Sequence, residues 1–464
     1  MDLTRQSEYL CRPMLVQVLV GIYFLTLLAG SFRKTKHDDE PDSYLLAGRK
    51  LSLIPFVATM VTTAYGWILG IGHLYYDYGI SAWLFLSLPY TAFALVMAFI
   101  LSGKIRKEQL RSIPEMLNKY YGKRVAQLGS VFVLFLISPA MYVLMTGQLL
   151  AGVFPIPLWI CLILALLFSS IYLYNGGFST LAKKDTWKFV FMFSGFAGAL
   201  IYLFAEYQWE PLARLTEAKK TMSFNAHWWE LITWFLLATV VMTDPGYHQR
   251  IYSSKSPAVA RQGLLISVLC WTFFDFLAAG VALYGLGLLP DLENSSLVYP
   301  LLASEILPEW LGAFFMIGLL ATVMSTLDSY LFLSAQTLMI DLLGRTTETG
   351  KTMRIGLLFV SIITFLILLP YLEKNVVDFF FDFTPFVVCV LVPPIVSVFI
   401  PKIRLRPMLA GIQMLVAISV CLLWRDFSAK YHLEISAVLP GLAMTVIFQI
   451  VFLLLKKRTK GIGN

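Results

Sequence analysis

The chain has 464 residues, of which 58% are hydrophobic and only 14% charged, with a formal net charge of +8. A soluble domain carries about 25% charged residues, so lipid rather than water is the solvent for most of this sequence. Long continuous apolar runs such as 14–32 and 125–154 also exclude a transmembrane barrel, whose strands alternate apolar and polar residues.

Thirteen membrane helices are expected, at roughly 14–32, 52–76, 80–102, 124–154, 156–175, 184–205, 226–243, 260–289, 309–338, 353–372, 376–400, 407–424 and 435–455. A hydrocarbon core of ~30 Å needs about 20 residues of helix, and most of these runs supply them. The first run reads as a retained helix and not a signal peptide. Asp2 and Glu8 stand where a basic region belongs, and no small-residue cleavage site follows. With the N-terminus placed outside, 28 of the 36 lysines and arginines fall on the inner side, among them Arg33, Lys34, Lys36, Lys184, Lys188 and Arg250. That bias orients the chain with its C-terminus in the cytoplasm of a plasma or bacterial inner membrane. It also accounts for the net charge, so no nucleic-acid partner is expected. Cys11, Cys161, Cys270, Cys389 and Cys421 have no paired spacing and imply neither a disulfide framework nor a zinc site.

Polar residues within the spans are costly in lipid and are the functional candidates. In 52–76, Thr62, Thr63, Gly66, Gly70 and Gly72 gather near mid-membrane, and both residue types weaken a helix. A break there would free carbonyls for cation coordination. Close helix packing through small residues is the plainer account. His73, Tyr75 and Tyr76 read as an interfacial aromatic belt. Asp185 opens the 184–205 span beside Lys183 and Lys184, as a solvated ion pair or a functional carboxylate. Asp275 sits alone among apolar residues in the middle of 260–289. It binds a cation, an amine or a proton, or makes a structural hydrogen bond to another helix. In 309–338, Thr322, Ser325, Thr326, Ser329 and Gln336 share one arc of about 100°, with Asp328 at its margin. Hydroxyl and carboxylate oxygens on one stripe make a ligand set for a hard cation. Asp378 and Asp382 fit a helix face near the outer interface, and Pro385, Pro393 and Pro394 predict kinks.

Four separated stretches resemble a known family. Asp42-Ser43-Tyr44-Leu45-Leu46-Ala47-Gly48-Arg49 precedes the second span. Gly176-Gly177-Phe178 leads to Asp185. Thr243-Asp244-Pro245-Gly246-Tyr247-His248-Gln249-Arg250 follows the seventh span, with Lys255-Ser256 beyond it. Met324-Ser325-Thr326-Leu327-Asp328-Ser329 lies in the ninth. In order and placement they resemble the solute:sodium symporters, which include sodium/proline and sodium/glucose transporters.

The resemblance implies an all-α polytopic membrane protein of the leucine-transporter type, two inverted repeats of five helices with broken helices at the centre. The parts would be a first helix and lead-in over 1–51, repeats over 52–205 and 226–400, an outside loop over 206–225, and two further helices with a tail over 401–464. It implies sodium-coupled symport of a small organic solute by alternating access, with no enzymatic step. The family's sodium site maps onto Val61, Ala64 and Thr322 through their carbonyls, and onto Ser325 and Thr326 through their hydroxyls. The second sodium site of some members maps onto Asp185, Asp328 and Ser329, with Asp328 departing from the Ser often found there. Thr63 replaces the Asp of proline transporters, and Ile68 replaces the Gln of sugar transporters. Asp244 maps near the solute pocket, and with Asp275 it favours a cationic or zwitterionic solute. Sodium, a small solute and the lipid bilayer are the implied partners. The rival readings are a proton-coupled symporter and a transporter-like sensor working with a separate signalling partner; family members with that role carry a cytoplasmic kinase domain, whereas a short tail is expected here after Lys456-Lys457-Arg458.

Overall fold

The structure, a computed structural model, describes residues 14–29, 40–222, 228–371, 376–433 and 435–461. Backbone polar groups in hydrocarbon must satisfy one another, and helices do so within a single segment. Among the described residues the chain is accordingly helical, with one isolated β-bridge between Leu51 and Ser254. The helices used below are α1 (Met14–Ala29), α2 (Leu53–Ala64), α3 (Ile68–Tyr78), α4 (Trp83–Lys107), α5 (Ile113–Tyr121), α6 (Lys123–Leu136), α7 (Ala140–Val153) and α8 (Leu158–Tyr207). They continue with α9 (Trp228–Ala238), α10 (Pro245–Ser253), α11 (Pro257–Leu288), α12 (Glu309–Gln336), α13 (Thr349–Leu368), α14 (Val376–Val398), α15 (Pro407–Tyr431) and α16 (Val438–Gly461).

Among the described residues seven helices are long and apolar enough to cross a membrane, and the bent pair α2/α3 makes an eighth. Four shorter apolar helices accompany them, at Met14–Ala29, Leu158–Ile171, Thr384–Val398 and Val438–Leu454. The protein is therefore an all-α, multi-pass membrane protein. Leu25, Trp187, Leu269, Phe273, Leu358, Leu366 and Leu423 are exposed on the outer faces. Such side chains suit lipid rather than water.

Breaks in the helices, more than their number, shape the interior. The α2 and α3 axes meet at 57° across Tyr65–Trp67, where the Thr and Gly residues of this stretch weaken the helix. At Gly177, φ is 54° and ψ −161°, and a Cβ there would meet the Tyr44 carbonyl oxygen at 2.6 Å. Only glycine takes that conformation freely. The expected spans 156–175 and 184–205 thus join as the bent helix α8. The expected span 124–154 divides at Ile137–Pro139 into α6 and α7, because proline cannot donate to the preceding turn.

The fourth break corrects the sequence reading. After α9, a tight turn over Thr239–Thr243 leads to Asp244 in extended conformation, and the chain then re-enters a helix, α10. The Asp244 carboxylate accepts the Tyr247 amide at 3.0 Å and Pro245 fills the first turn, a favourable helix start. This stretch was read as an inner loop; every residue of α10 is buried.

Helix α12 forms the centre, buried at nearly every position from Leu311 to Gln336. It packs against α1, α2, α7, α8 and α13. Tyr75 and Tyr76 are buried and not an interfacial belt, because α3 packs on α11 and on the Ser295–Leu297 turn. Their hydroxyls pair with Ser87 at 3.3 Å and the Leu289 carbonyl at 2.7 Å, while His73 Nδ1 lies 2.5 Å from Ser295 Oγ. Cys161, Cys270, Cys389 and Cys421 are free thiols. Cys11, Arg33, Lys34, Lys36 and the side chains of Asp378 and Asp382 lie outside the described residues.

A candidate ion and solute site at the helix breaks

Three of the helices that carry intramembrane polar residues converge. The α2/α3 break lies against the middle of α12, so close that a Cβ on Gly66 would overlap the Thr326 side chain. Thr326 Oγ1 donates to the Thr63 carbonyl at 2.7 Å, a carbonyl near the end of α2. Ser325 Oγ lies 2.8 Å from both Thr62 Oγ1 and Asp185 Oδ1. These bonds set the end of α2, at Thr62 and Thr63, against Ser325 and Thr326 of α12. Thr322 back-bonds to Gly318 at 2.7 Å through its hydroxyl, which leaves its carbonyl as the group of interest.

Asp185 is fully buried within the bundle and not at a solvated edge. Its oxygens accept from Thr59 and Ser325. Two cations that the charge count placed on the inner surface lie here. Lys188, one turn along α8 from Asp185, pairs with Asp328 and stands 3.5 Å from Asp185. Arg250 Nη2 reaches Thr63 and Ser329 hydroxyls at 2.7 Å each and Thr59 at 3.0 Å, and lies 3.8 Å from Asp185. Both basic side chains have 0% exposure. Phe178 covers the guanidinium, with its ring centroid 5.4 Å away. Lys184 is buried too and donates to the Leu27 carbonyl at 2.6 Å. A buried charge needs a partner, and carboxylates of α8 and α12 supply one to Lys188. Neither sequence spacing nor the positive-inside count revealed these pairs. The signal available was a lysine one helical turn from Asp185 and an Asp departing from Ser at 328.

Beside this cluster lies a cavity of about 190 Å³. Thr63, Asp244 and Asp275 are among its lining residues, whereas Ile68 is buried and is not among the described ones. The lining that sequence reasoning missed is aromatic: Tyr90, Tyr142, Tyr247, Trp271 and Tyr330. Asp275 Oδ1 accepts from Tyr65, whose hydroxyl also lies 2.7 Å from the Trp271 carbonyl. The isolated carboxylate of α11 is therefore tied to the hinge of α2/α3. Asp244 Oδ2 accepts from Tyr330 at 2.6 Å, which ties the α9/α10 break to α12.

Ion pairs and backbone bonds tie the lead-in to α2 to neighbouring segments. Asp42 pairs with Arg49 at 2.8 Å and Arg111 at 2.6 Å. Arg49 also donates to the Leu110 and Gln109 carbonyls, and Leu51 exchanges backbone bonds with Ser253 and Lys255. Burial pushes the Asp42 carboxyl up, but hydrogen bonds from Arg49 and Arg111 prevail and hold it below the usual carboxylate range.

A sequence profile of the sodium:solute symporter family matches residues 44–405. No curated protein sequence matches the chain. Among solved structures, a substrate-bound, outward-open sodium-coupled sialic acid symporter is similar at a TM-score of 0.77 and 16% identity, covering 96% of this chain and 98% of that one. MHP1, a nucleobase-cation-symport-1 family transporter, is similar at 0.59 and 13%, covering 90% and 96%. MhsT in complex with L-phenylalanine is similar at 0.54 and 16%, covering 87% and 98%. At these identities the likeness is one of fold.

Proposed function

The chain belongs to the sodium:solute symporter family, and on that premise we propose that it carries a small organic solute with sodium by alternating access. It is a secondary-active transporter and not an enzyme. The observation that carries the sodium reading is the α2/α3 break held against α12, with the Thr326 hydroxyl 2.7 Å from the Thr63 carbonyl. A broken helix exposes carbonyls, and adjacent hydroxyls complete an oxygen set for a hard cation. Val61, Ala64 and Thr322 would contribute carbonyls, and Ser325 and Thr326 hydroxyls. Asp185, Asp328 and Ser329 correspond to the second ion position of some relatives.

The solute is an amino-acid-like cation or zwitterion with an apolar body, held by Thr63, Asp244 and Asp275. Two carboxylates and eight aromatic side chains around about 190 Å³ support this class. Aromatic faces attract cations, and the space is below the ~300 Å³ typical of larger ligands. Alternating access would rock two inverted repeats, 52–205 and 226–400, among thirteen crossings with the N-terminus outside and the C-terminus inside. Sodium binding at α2 and α12 would favour the open outer side and raise solute affinity, and the coupling must be reciprocal.

Reconstituted protein in liposomes tests the reading. A sodium gradient should drive uptake of a solute found by thermal-shift screening of amines and amino acids, and an equal potassium gradient should not. Uptake driven by a proton gradient in sodium-free buffer would overturn sodium coupling.

A further inference from the structure

Where a second cation would sit between Asp185 and Asp328, the chain already carries one of its own. The Lys188 ammonium pairs with Asp328 Oδ2 and stands 3.5 Å from Asp185 Oδ1, with all three side chains essentially sealed from solvent. The lysine comes from α8, three residues after Asp185, and its ammonium reaches Asp328 on α12. An ammonium is a compact point charge with three donors, close in role to a monovalent ion held by oxygens. Arg250 completes the balance. With Asp185, Asp328, Lys188 and Arg250 charged, the cluster is formally neutral.

We propose that Lys188 is a tethered cation occupying the second ion position, so that the transporter moves one sodium per cycle, through the Ser325/Thr326 site alone. The proposal rests on the sodium reading above for the ion that remains. It makes Lys188 and Asp328 determinants of stoichiometry and not sodium ligands. A mobile cation entering about 4 Å from the ammonium would meet like-charge repulsion that disfavours it roughly a thousandfold at an effective dielectric of about 20. Losing the second ion lowers the attainable solute gradient by roughly fiftyfold for each 100 mV of potential. What the protein gains is a permanent neutralising charge that keeps α8 and α12 together whether or not sodium is bound.

The test is the number of ²²Na⁺ ions bound per purified chain in wild type, Lys188→Ala, and the neutral pair Lys188→Met/Asp328→Asn. The expected counts are one, two and one. Methylammonium, supplied as a free probe, should displace only the ion gained in Lys188→Ala. Adding Ser325→Ala/Thr326→Ala to Lys188→Ala should remove one ion and leave the gained one. Two ions in wild type would overturn the proposal. With one ion in wild type, so would a folded Lys188→Ala that also binds only one, or a neutral pair that loses the wild-type ion. Should Lys188→Ala not fold, the wild-type and neutral-pair counts still decide. Zero ions in wild type and one in Lys188→Ala would uphold the tethered cation while sinking sodium coupling.

Discussion

Removing the Thr326 hydroxyl separates a sodium ligand from a mere helix tie. Oγ1 is fully buried and donates to the Thr63 carbonyl at 2.7 Å. In Thr326→Ala that carbonyl, in the last turn of α2, loses this partner. An unsatisfied buried polar group costs about 1–3 kcal/mol of stability. If the same oxygen ligates sodium, an interaction with a charged group worth ~1.5–3 kcal/mol disappears as well. That corresponds to about 10- to 150-fold weaker sodium binding. Thr326→Ser keeps the oxygen and should stay within about threefold of wild type, by the small cost of one lost methyl. Tryptophan-fluorescence titration of purified protein with NaCl, against KCl at equal ionic strength, reads the affinity, and thermal unfolding reads the stability. Thr326→Ala that unfolds earlier yet binds sodium as tightly as wild type would refute the ligand role.

Three further outcomes follow from the same geometry. Asp275→Asn keeps the Tyr65 hydrogen bond but removes the charge facing the cavity. The stabilisation that a cationic solute confers on wild type in thermal shift should fall by at least tenfold in apparent affinity; unchanged affinity would make Asp275 purely structural. Gly66→Ala drives a methyl into the Thr326 side chain and should destabilise by about 1–3 kcal/mol while weakening sodium binding; a neutral result would mean that the hinge does not press on α12. Asp42, held below its usual range by Arg49 and Arg111, contributes its stability in full above its ordinary value near ~4. That contribution is lost as pH falls through the depressed folded value. Being part-exposed, it is worth about 1 kcal/mol or less. The stability gap between wild type and Asp42→Asn should therefore hold from pH 5 to 8 and close in stronger acid. A gap that persists in acid would show that the Asp42 charge is not its source.

The sequence by itself determined the solvent and the class. Apolar runs as long as a bilayer is thick, with few charges, leave only a helical membrane protein. The motifs at 42–49, 176–185, 243–250 and 324–329 were enough to identify the family, while the Thr/Gly-rich stretch at 62–72 left a break and close helix packing both open. Those signals are local, and local chemistry writes them: weak helix formers, caps and stripes of hydroxyls. Which charges meet inside the bundle was decided only in three dimensions. Lys188 and Arg250 looked like inner-surface cations because a residue count has no depth coordinate. Folding carries Lys188 to Asp328, 140 residues away in the chain, and Arg250 to within 3.8 Å of Asp185, where a buried charge persists only with a partner. The aromatic cavity was illegible for the same reason. Tyr90, Tyr142, Tyr247, Trp271 and Tyr330 come from different helices with no common spacing, and only the packing of broken helices around α12 brings their rings to one place.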